Sequence, residues 1–178
     1  MRKVDDRPQT GAVDWLVRRA TLADAEAMKA VAGVAWRDTY RGLLRDETIE
    51  AFIAGPYDIE SVRRRIDRHH VLVAMDKHGI VAYADAVPED ERLLLAAFYA
   101  LPDRRRQGAG GALLEALLAD HPGLPIDACV LVGNRAGEAF YERRGFAPVE
   151  TIEGELFGEA VTERRWRRPA IPLAPEAT

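Results

Sequence analysis

Apolar positions recur along this chain with two periods, and the change from one to the other outlines the fold. Residues 15–19 alternate over a short span and predict a first strand. Leu22, Ala25, Met28 and Val31 then fall at helical spacing, and the helix they predict runs towards Trp36. Thr21 with Asp24 three residues on opens it as a capping box with a shortened acid, and Tyr40, Arg41 and Gly42 break it. Residues 46–53 predict a second helix before Gly55 and Pro56, and residues 61–68 a third, strongly basic one. From His70 the period becomes that of strands. Residues 71–75 and 80–87 flank Asp76, Lys77, His78 and Gly79, a hairpin composition, and Pro88, Glu89 and Asp90 predict the next turn. Residues 93–101 are apolar throughout, as suits a strand covered on both faces, and Pro102 ends it. Gly110, Leu113, Leu114, Leu117 and Leu118 share one helical stripe, stopped by His121, Pro122 and Gly123. Residues 126–132 predict a buried strand closed by Gly133 and Asn134, and residues 136–144 a short helix capped by Gly145. Residues 146–149 and 162–168 predict two final antiparallel strands, with residues 154–158 in their connection.

Helices interrupting a mostly antiparallel set of strands predict an α/β domain, layered in the α+β manner. With 178 residues and 48% hydrophobic content the chain can bury one full core. We expect that domain over residues 14–169. Polar residues 1–13 and proline-rich residues 170–178 are expected to be flexible tails.

A net charge of −4 argues against wholesale binding of nucleic acid, and no apolar run reaches the length of a membrane span. The first ten residues lack the apolar centre of an export signal, and the single cysteine, Cys129, cannot form an internal disulfide. A cytoplasmic location is therefore expected. Cys129 itself reads as an inert core residue of an apolar strand. His69 and His70 are adjacent and lack the ligand spacing of a metal site, so no metal is expected. Arg63, Arg64, Arg65 and Arg68 read as a solvated helix face.

Against the acidic background, Arg104, Arg105 and Arg106 stand beside a glycine-rich turn that opens a helix. Unpaired N–H groups at such a helix start, with Gln107, Gly108, Ala109, Gly110 and Gly111 before or within it, suit an anion such as a phosphate. The turn is no P-loop, for no Lys-Ser or Lys-Thr follows, and no dinucleotide fingerprint, for Leu113 stands where the third glycine belongs. What remains is R-x-x-G-x-G from Arg105 to Gly110, which a solvated basic loop would also satisfy. After the next strand, Asn134 offers a side-chain amide, and Tyr141 lies on the following helix beside Phe140. Those aromatics, with Phe146, are either a core cluster or, for Tyr141, a proton donor in a ligand cleft.

Together these two segments resemble the GNAT superfamily of N-acetyltransferases, over residues 15–168. The glycine-rich segment is similar to that family's bulged strand, R-x-x-G-x-G turn and pyrophosphate-holding helix. The segment from Asn134 to Phe146 is similar to the part that completes its cofactor site. The resemblance implies a mixed, mostly antiparallel central sheet with splayed strands flanked by helices. It implies acetyl-CoA as co-substrate, held at its phosphates by Arg105, Arg106, Gln107, Gly108, Ala109, Gly110 and Gly111. The strand edge at Phe98, Tyr99 and Ala100 would pair with the pantetheine arm, which Asn134 would also contact. Tyr141 would be the general acid, and the acceptor a small-molecule or peptide amine. Two departures stand out. Leu94 occupies the position where family members often carry a basic carboxylate, and Arg106 a position often held by glycine. Asp85 is the nearest strand acid that would share a face with Val81 and Tyr83 and point into a cleft. Trp36 and Tyr40 are either core or acceptor pocket. Exposed final strands would permit a homodimer. A CoA-binding sensor or interaction module without transfer activity is the alternative reading, and a nucleotide-binding regulatory domain would need a phosphate loop this chain lacks.

Overall fold

Seven strands form one sheet in the order β1-β2-β3-β4-β5-β7-β6 in the computed structural model, which describes residues 15–170. The expected flexible tails, 1–13 and 170–178, lie outside the described residues except for residue 170. The strands are β1 (Leu16–Arg19), β2 (His70–Asp76), β3 (Gly79–Glu89), β4 (Arg92–Ala100), β5 (Ile126–Leu131), β6 (Ala147–Leu156) and β7 (Glu159–Arg168). Helices α1 (Ala25–Tyr40), α2 (Asp46–Ala54) and α3 (Ile59–Arg68) precede β2, α4 (Ala109–Asp120) links β4 to β5, and α5 (Arg135–Glu142) follows β5. This is the mixed, mostly antiparallel sheet between helical layers that the resemblance implied. Its single parallel pair is β4 with β5.

Each face of the sheet buries its own core. Leu72, Ala74, Ala82, Ala84 and Ala86 pack with Leu113 and Leu117 of α4, and with Tyr141 and Phe146. Val71, Val73, Tyr83 and Ala97 pack on the opposite face with Met28 and Val31 of α1 and Val62 of α3. Apolar small residues on one face of β3 let α4 approach closely, and larger ones on the other meet α1. Asp24 performs the capping the sequence suggested. Its carboxylate accepts from the Thr21 N–H and hydroxyl and from both Arg18 guanidinium nitrogens, at 2.7 to 2.9 Å.

Three strand expectations are corrected. First, β3 continues through Pro88 to Glu89, so the turn is reduced to Asp90 and Glu91. Pro88 faces Leu93, whose N–H is directed to the Pro125 carbonyl on the other side, so the missing proline N–H is not needed there. Second, the last hairpin is far longer than predicted, and Gly154 lies inside β6. A two-residue turn, Phe157 (φ 49°) and Gly158 (φ 77°), replaces the expected long connection. Third, Cys129 of β5 is exposed and lies opposite Arg165 of β7, instead of in the core.

Candidate active site

The sheet splits along its parallel pair. β4 and β5 are joined only from Leu93 to Leu95 and from Ile126 to Ala128. Beyond that point β4 stays with β3 through Ala100, while β5 stays with β7 through Leu131. A register shift opposite Asp85 and Ala86 leaves Ala96 as an extra residue of β4, the bulge that turns the strand away. Phe98, Tyr99 and Ala100 therefore pair with β3 on one side and present an unpaired backbone edge on the other, into the gap.

That gap opens into a cavity of about 830 Å³. The start of α4 forms one wall. The first helical bond runs from the Ala112 N–H to the Gly108 carbonyl, so the N–H groups of Ala109, Gly110 and Gly111 have no intrahelical acceptor. Gly108 at φ 101° makes the turn into the helix, a conformation that side chains resist. Gly110 is pressed between rings: a Cβ there would sit 3.0 Å from Phe140 and 3.4 Å from Phe98. Trp15 fixes the loop from outside, donating its indole N–H to the Gln107 carbonyl at 2.9 Å. Alanine at position 108 would force φ out of its favoured region and crowd the Trp15 indole at 3.3 Å. We expect Gly108→Ala to raise the CoA dissociation constant about tenfold, equal to about 1.4 kcal/mol, measured by calorimetric titration. An unchanged constant would mean this turn does not hold the ligand.

Arg104, Arg105 and Arg106 all line this wall, but two of them already have partners. Arg104 is bound by Asp76 at 3.1 Å, and Arg105 by Asp38 at 2.6 Å and Thr39 at 2.9 Å. Arg105 lines the cavity but is already neutralised, and its main service is to tie the loop to α1. Gln107 is not in the lining; its side chain folds back to the Asp103 carbonyl at 3.0 Å. Arg106, at φ 63°, lines the cavity with no ion-pair partner among the described residues. Arg143 and Arg144, which sequence reasoning passed over, do the same, and Arg144 also lies 4.8 Å over the Phe140 ring. Their signal was the R-R-G of the second segment, set at the end of α5 beside the start of α4.

Asn134 and Tyr141 reach the cavity from the other side of the gap. Asn134 caps α5, its Oδ1 accepting from the Gly137 N–H at 3.0 Å, which leaves its amide N–H₂ for the cavity. Tyr141 is nearly enclosed by Phe140, Phe146 and Phe98. Burial, with smaller contributions from Tyr40 and Cys129, holds its phenol well above the ordinary value. Tyr40 lines the cavity from the end of α1. Burial first, then Glu163, push it up to about 12, against lowering by Asn134 and Arg105.

Two acceptor candidates are corrected. Trp36 is core, stacked on Phe52 at 3.8 Å and absent from the cavity wall. Asp85 does not enter the cleft, because α3 covers it. It is fully buried, with His69 Nδ1 at 2.7 Å and Arg65 at 3.3 Å. Arg65 thereby leaves the solvated basic face expected of α3. Nor does Asp85 share surroundings with both expected neighbours. A register shift near Val81 sends that residue into the α4-side core while Tyr83 packs on the α1 side. Among the described residues no group of three or more His, Cys, Asp or Glu is placed to hold a metal ion. None of the described helices is long and apolar enough to cross a membrane.

Comparison with known proteins bears on this arrangement. Residues 67–148, which hold the split strands and most of the cavity lining, match the sequence profile of a family described as acetyltransferase (GNAT) domain. Spermidine N(1)-acetyltransferase of Thermoplasma acidophilum is 25% identical over 150 residues, 79% of this chain and 92% of that protein. The crystal structure of PaiA N-acetyltransferase from Thermoplasma acidophilum in complex with coenzyme A superposes with a TM-score of 0.76 at 22% identity. It covers 87% of this chain and 98% of its own. The ribosomal-protein-S18-alanine N-acetyltransferase of Escherichia coli superposes with a TM-score of 0.69 at 18% identity, over 92% of this chain and 99% of its own.

Proposed function

We propose that this chain, which belongs to the GNAT superfamily of acetyltransferases, moves an acetyl group from acetyl-CoA to a primary amine by direct transfer in a ternary complex. The observation that carries this reading is one cavity holding three complementary parts: a free strand edge, an open helix start with uncommitted arginines, and a protonated tyrosine. Acetyl-CoA supplies an activated thioester. The N–H groups of Ala109, Gly110 and Gly111, with Arg106, Arg143 and Arg144, suit its phosphates. The edge of Phe98, Tyr99 and Ala100 suits an extended arm carrying amides, taken on as an added strand. Backbone N–H groups of that edge would stabilise negative charge gathering on the thioester oxygen.

Tyr141 would protonate the departing sulfur. A CoA thiol has a pKa near ~8.5, well below that of a buried phenol, so a free-standing transfer from Tyr141 would be uphill. The proton therefore has to move as the C–S bond breaks, while Tyr141 recovers one from the attacking nitrogen. No intermediate with a bare tyrosinate is needed. The compared relatives are named for spermidine and for an alanine of a ribosomal protein, both amines, which supports an amine acceptor.

A second reading has its own observation. No residue lining the cavity is acidic, and Leu94 stands at the position where a base was sought, as suits a module that binds CoA without transfer. Thiol release separates the two. With acetyl-CoA and a panel of butylamine, spermidine and an N-terminal alanyl peptide amide, at least one amine is expected to drive release well above the amine-free rate. Binding of CoA with no amine-dependent release would leave the sensor reading.

A further inference from the structure

The cavity passes through the sheet, and its two ends differ. The phosphate wall lies on the α4 face. β5 turns Ile126, Ala128 and Val130 to that face, where they pack with Tyr141, so Cys129 and Leu131 turn to the α1 face. In β7 the same alternation sends Trp166 to the α4 face and Val161 to the α1 face. Glu163, paired in register with Leu131, falls on the α1 face beside the end of α1. An acyl chain anchored at α4 and threaded through the split reaches this end, and the acceptor must approach from it.

Most acids of the last hairpin are already engaged there. Glu150 binds Arg165 at 2.7 Å, Glu153 accepts from Thr162 at 2.8 Å, and Glu159 meets Arg45 at 3.4 Å. Glu163 is half-buried and has no hydrogen-bond or ion-pair partner among the described residues. It stands just behind the cavity wall, not in the lining itself, close enough for its charge to act on Tyr40 and Cys129, which do line it. Burial holds its carboxyl above the ordinary value. Around it stand Tyr40 from α1, Cys129 from β5, Arg165 on its own strand and Ile152 opposite it on β6, with Glu150 one step further along opposite Arg165. Arg165, the cation of these, is taken by Glu150 and so does not satisfy Glu163.

We infer that Glu163 receives the ammonium group of the acceptor and takes its first proton. This rests on the acetyl-transfer reading above and names its missing base. An amine with a pKa near ~10 arrives as R–NH₃⁺ and cannot attack until it loses a proton. That proton goes to the Glu163 carboxylate. The freed lone pair forms the C–N bond, the C–S bond breaks, and the second nitrogen proton reaches sulfur by way of Tyr141. Glu163 then returns its proton to solvent, so the products are the amide, CoA thiol and one proton. A lone carboxylate sheltered from water also selects for cations, and so for amines over alcohols.

Glu163→Gln keeps the side-chain shape. It is expected to lower kcat/KM for the best amine of the panel about 100-fold at pH 7.5, with the acetyl-CoA dissociation constant unchanged. The rise of wild-type kcat/KM with pH on its acidic limb should flatten in this variant and persist, displaced, in Glu163→Asp. Wild-type kcat/KM and an intact acidic limb in Glu163→Gln overturn the inference and leave acetyl transfer standing. Loss of the limb in Glu163→Asp as well would assign the effect to shape, and also overturns it. A wild-type protein that binds acetyl-CoA yet acetylates none of the amines overturns the acetyl-transfer reading, and the role of Glu163 with it.

Discussion

Phenylalanine at position 141 is expected to lower kcat about 10³-fold while leaving the melting temperature and CoA affinity close to those of the wild type. General acids contribute about 10²- to 10⁴-fold, and among the described residues Tyr141 is the one hydroxyl enclosed on the α4 side of the split. Its hydroxyl has no hydrogen-bond partner among the described residues, so deleting it orphans no buried group. The ring contacts are kept, with Phe146 at 4.9 Å, Phe140 at 5.3 Å and Phe98 at 6.4 Å between centroids. Stability and activity should therefore separate cleanly in this variant. The pH profile adds a further readout. Because burial raises the phenol, the wild type should show no loss of rate from tyrosine ionisation up to about pH 10, the ordinary value for a phenol. The deficit of the variant should narrow above about pH 8.5, where CoA thiolate needs no proton to persist in water. Equal kcat for both proteins across that range would remove Tyr141 from the chemistry.

The parts of the site that sequence revealed are those whose chemistry is local. Gly108, Gly110 and Gly111 announce a helix start approached closely by something, and the positive φ of Gly108 and the crowding of Gly110 are the physical content of that pattern. Asn134 and Tyr141 were legible because a cap and the next helical turn fix their spacing. What escaped were properties set by partners far along the chain. Arg105 is neutralised by Asp38, and Arg104 by Asp76, and neither pairing has a local signature. Cys129 sits in a run that is almost wholly apolar, where nothing in the sequence says which face is covered. The split beside it, produced by a bulge at Ala96, opens that face. Strand β6 was predicted only as far as residue 149, because it is exposed almost throughout and so shows no apolar period. Glu163 lies in the strand that was predicted, residues 162–168, but nothing local sets it apart from the other acids of the hairpin. Once Glu150, Glu153 and Glu159 are seen to be engaged, Glu163 separates from acids that otherwise look merely solvated.

Alanine at position 127 is expected to destabilise the fold by about 3 kcal/mol, because Asp127 holds the closed end of the split. It lies in β5 beside Leu94 of β4, within the short stretch where those strands still pair, and its side chain is wholly buried. Arg167 of β7 grips both oxygens at 2.6 and 2.7 Å, and Arg92 of β4 reaches one at 3.2 Å, so one carboxylate joins three strands. Removing one partner of a buried pair costs about 3–5 kcal/mol. The lower end applies because the guanidinium groups left behind are 30–40% exposed and can regain water. For a domain of this size that is a fall of about 6–12 °C in melting temperature. The pH dependence has a definite sign. Burial alone would raise the Asp127 carboxyl, but Arg167, then Arg92 and Arg165, hold it below its usual value. Its contribution is therefore complete above the unfolded value near ~3.9 and is lost as pH falls below that, through the lower folded one. Below about pH 4 the wild type should lose melting temperature faster than Asp127→Ala, so that the two curves draw together as pH falls further. Since the same residue keeps β4 and β5 together at one end, the variant should also bind CoA more weakly by loosening the angle at which the strands part. A melting temperature within about 2 °C of the wild type at neutral pH would show that backbone pairing alone closes the split.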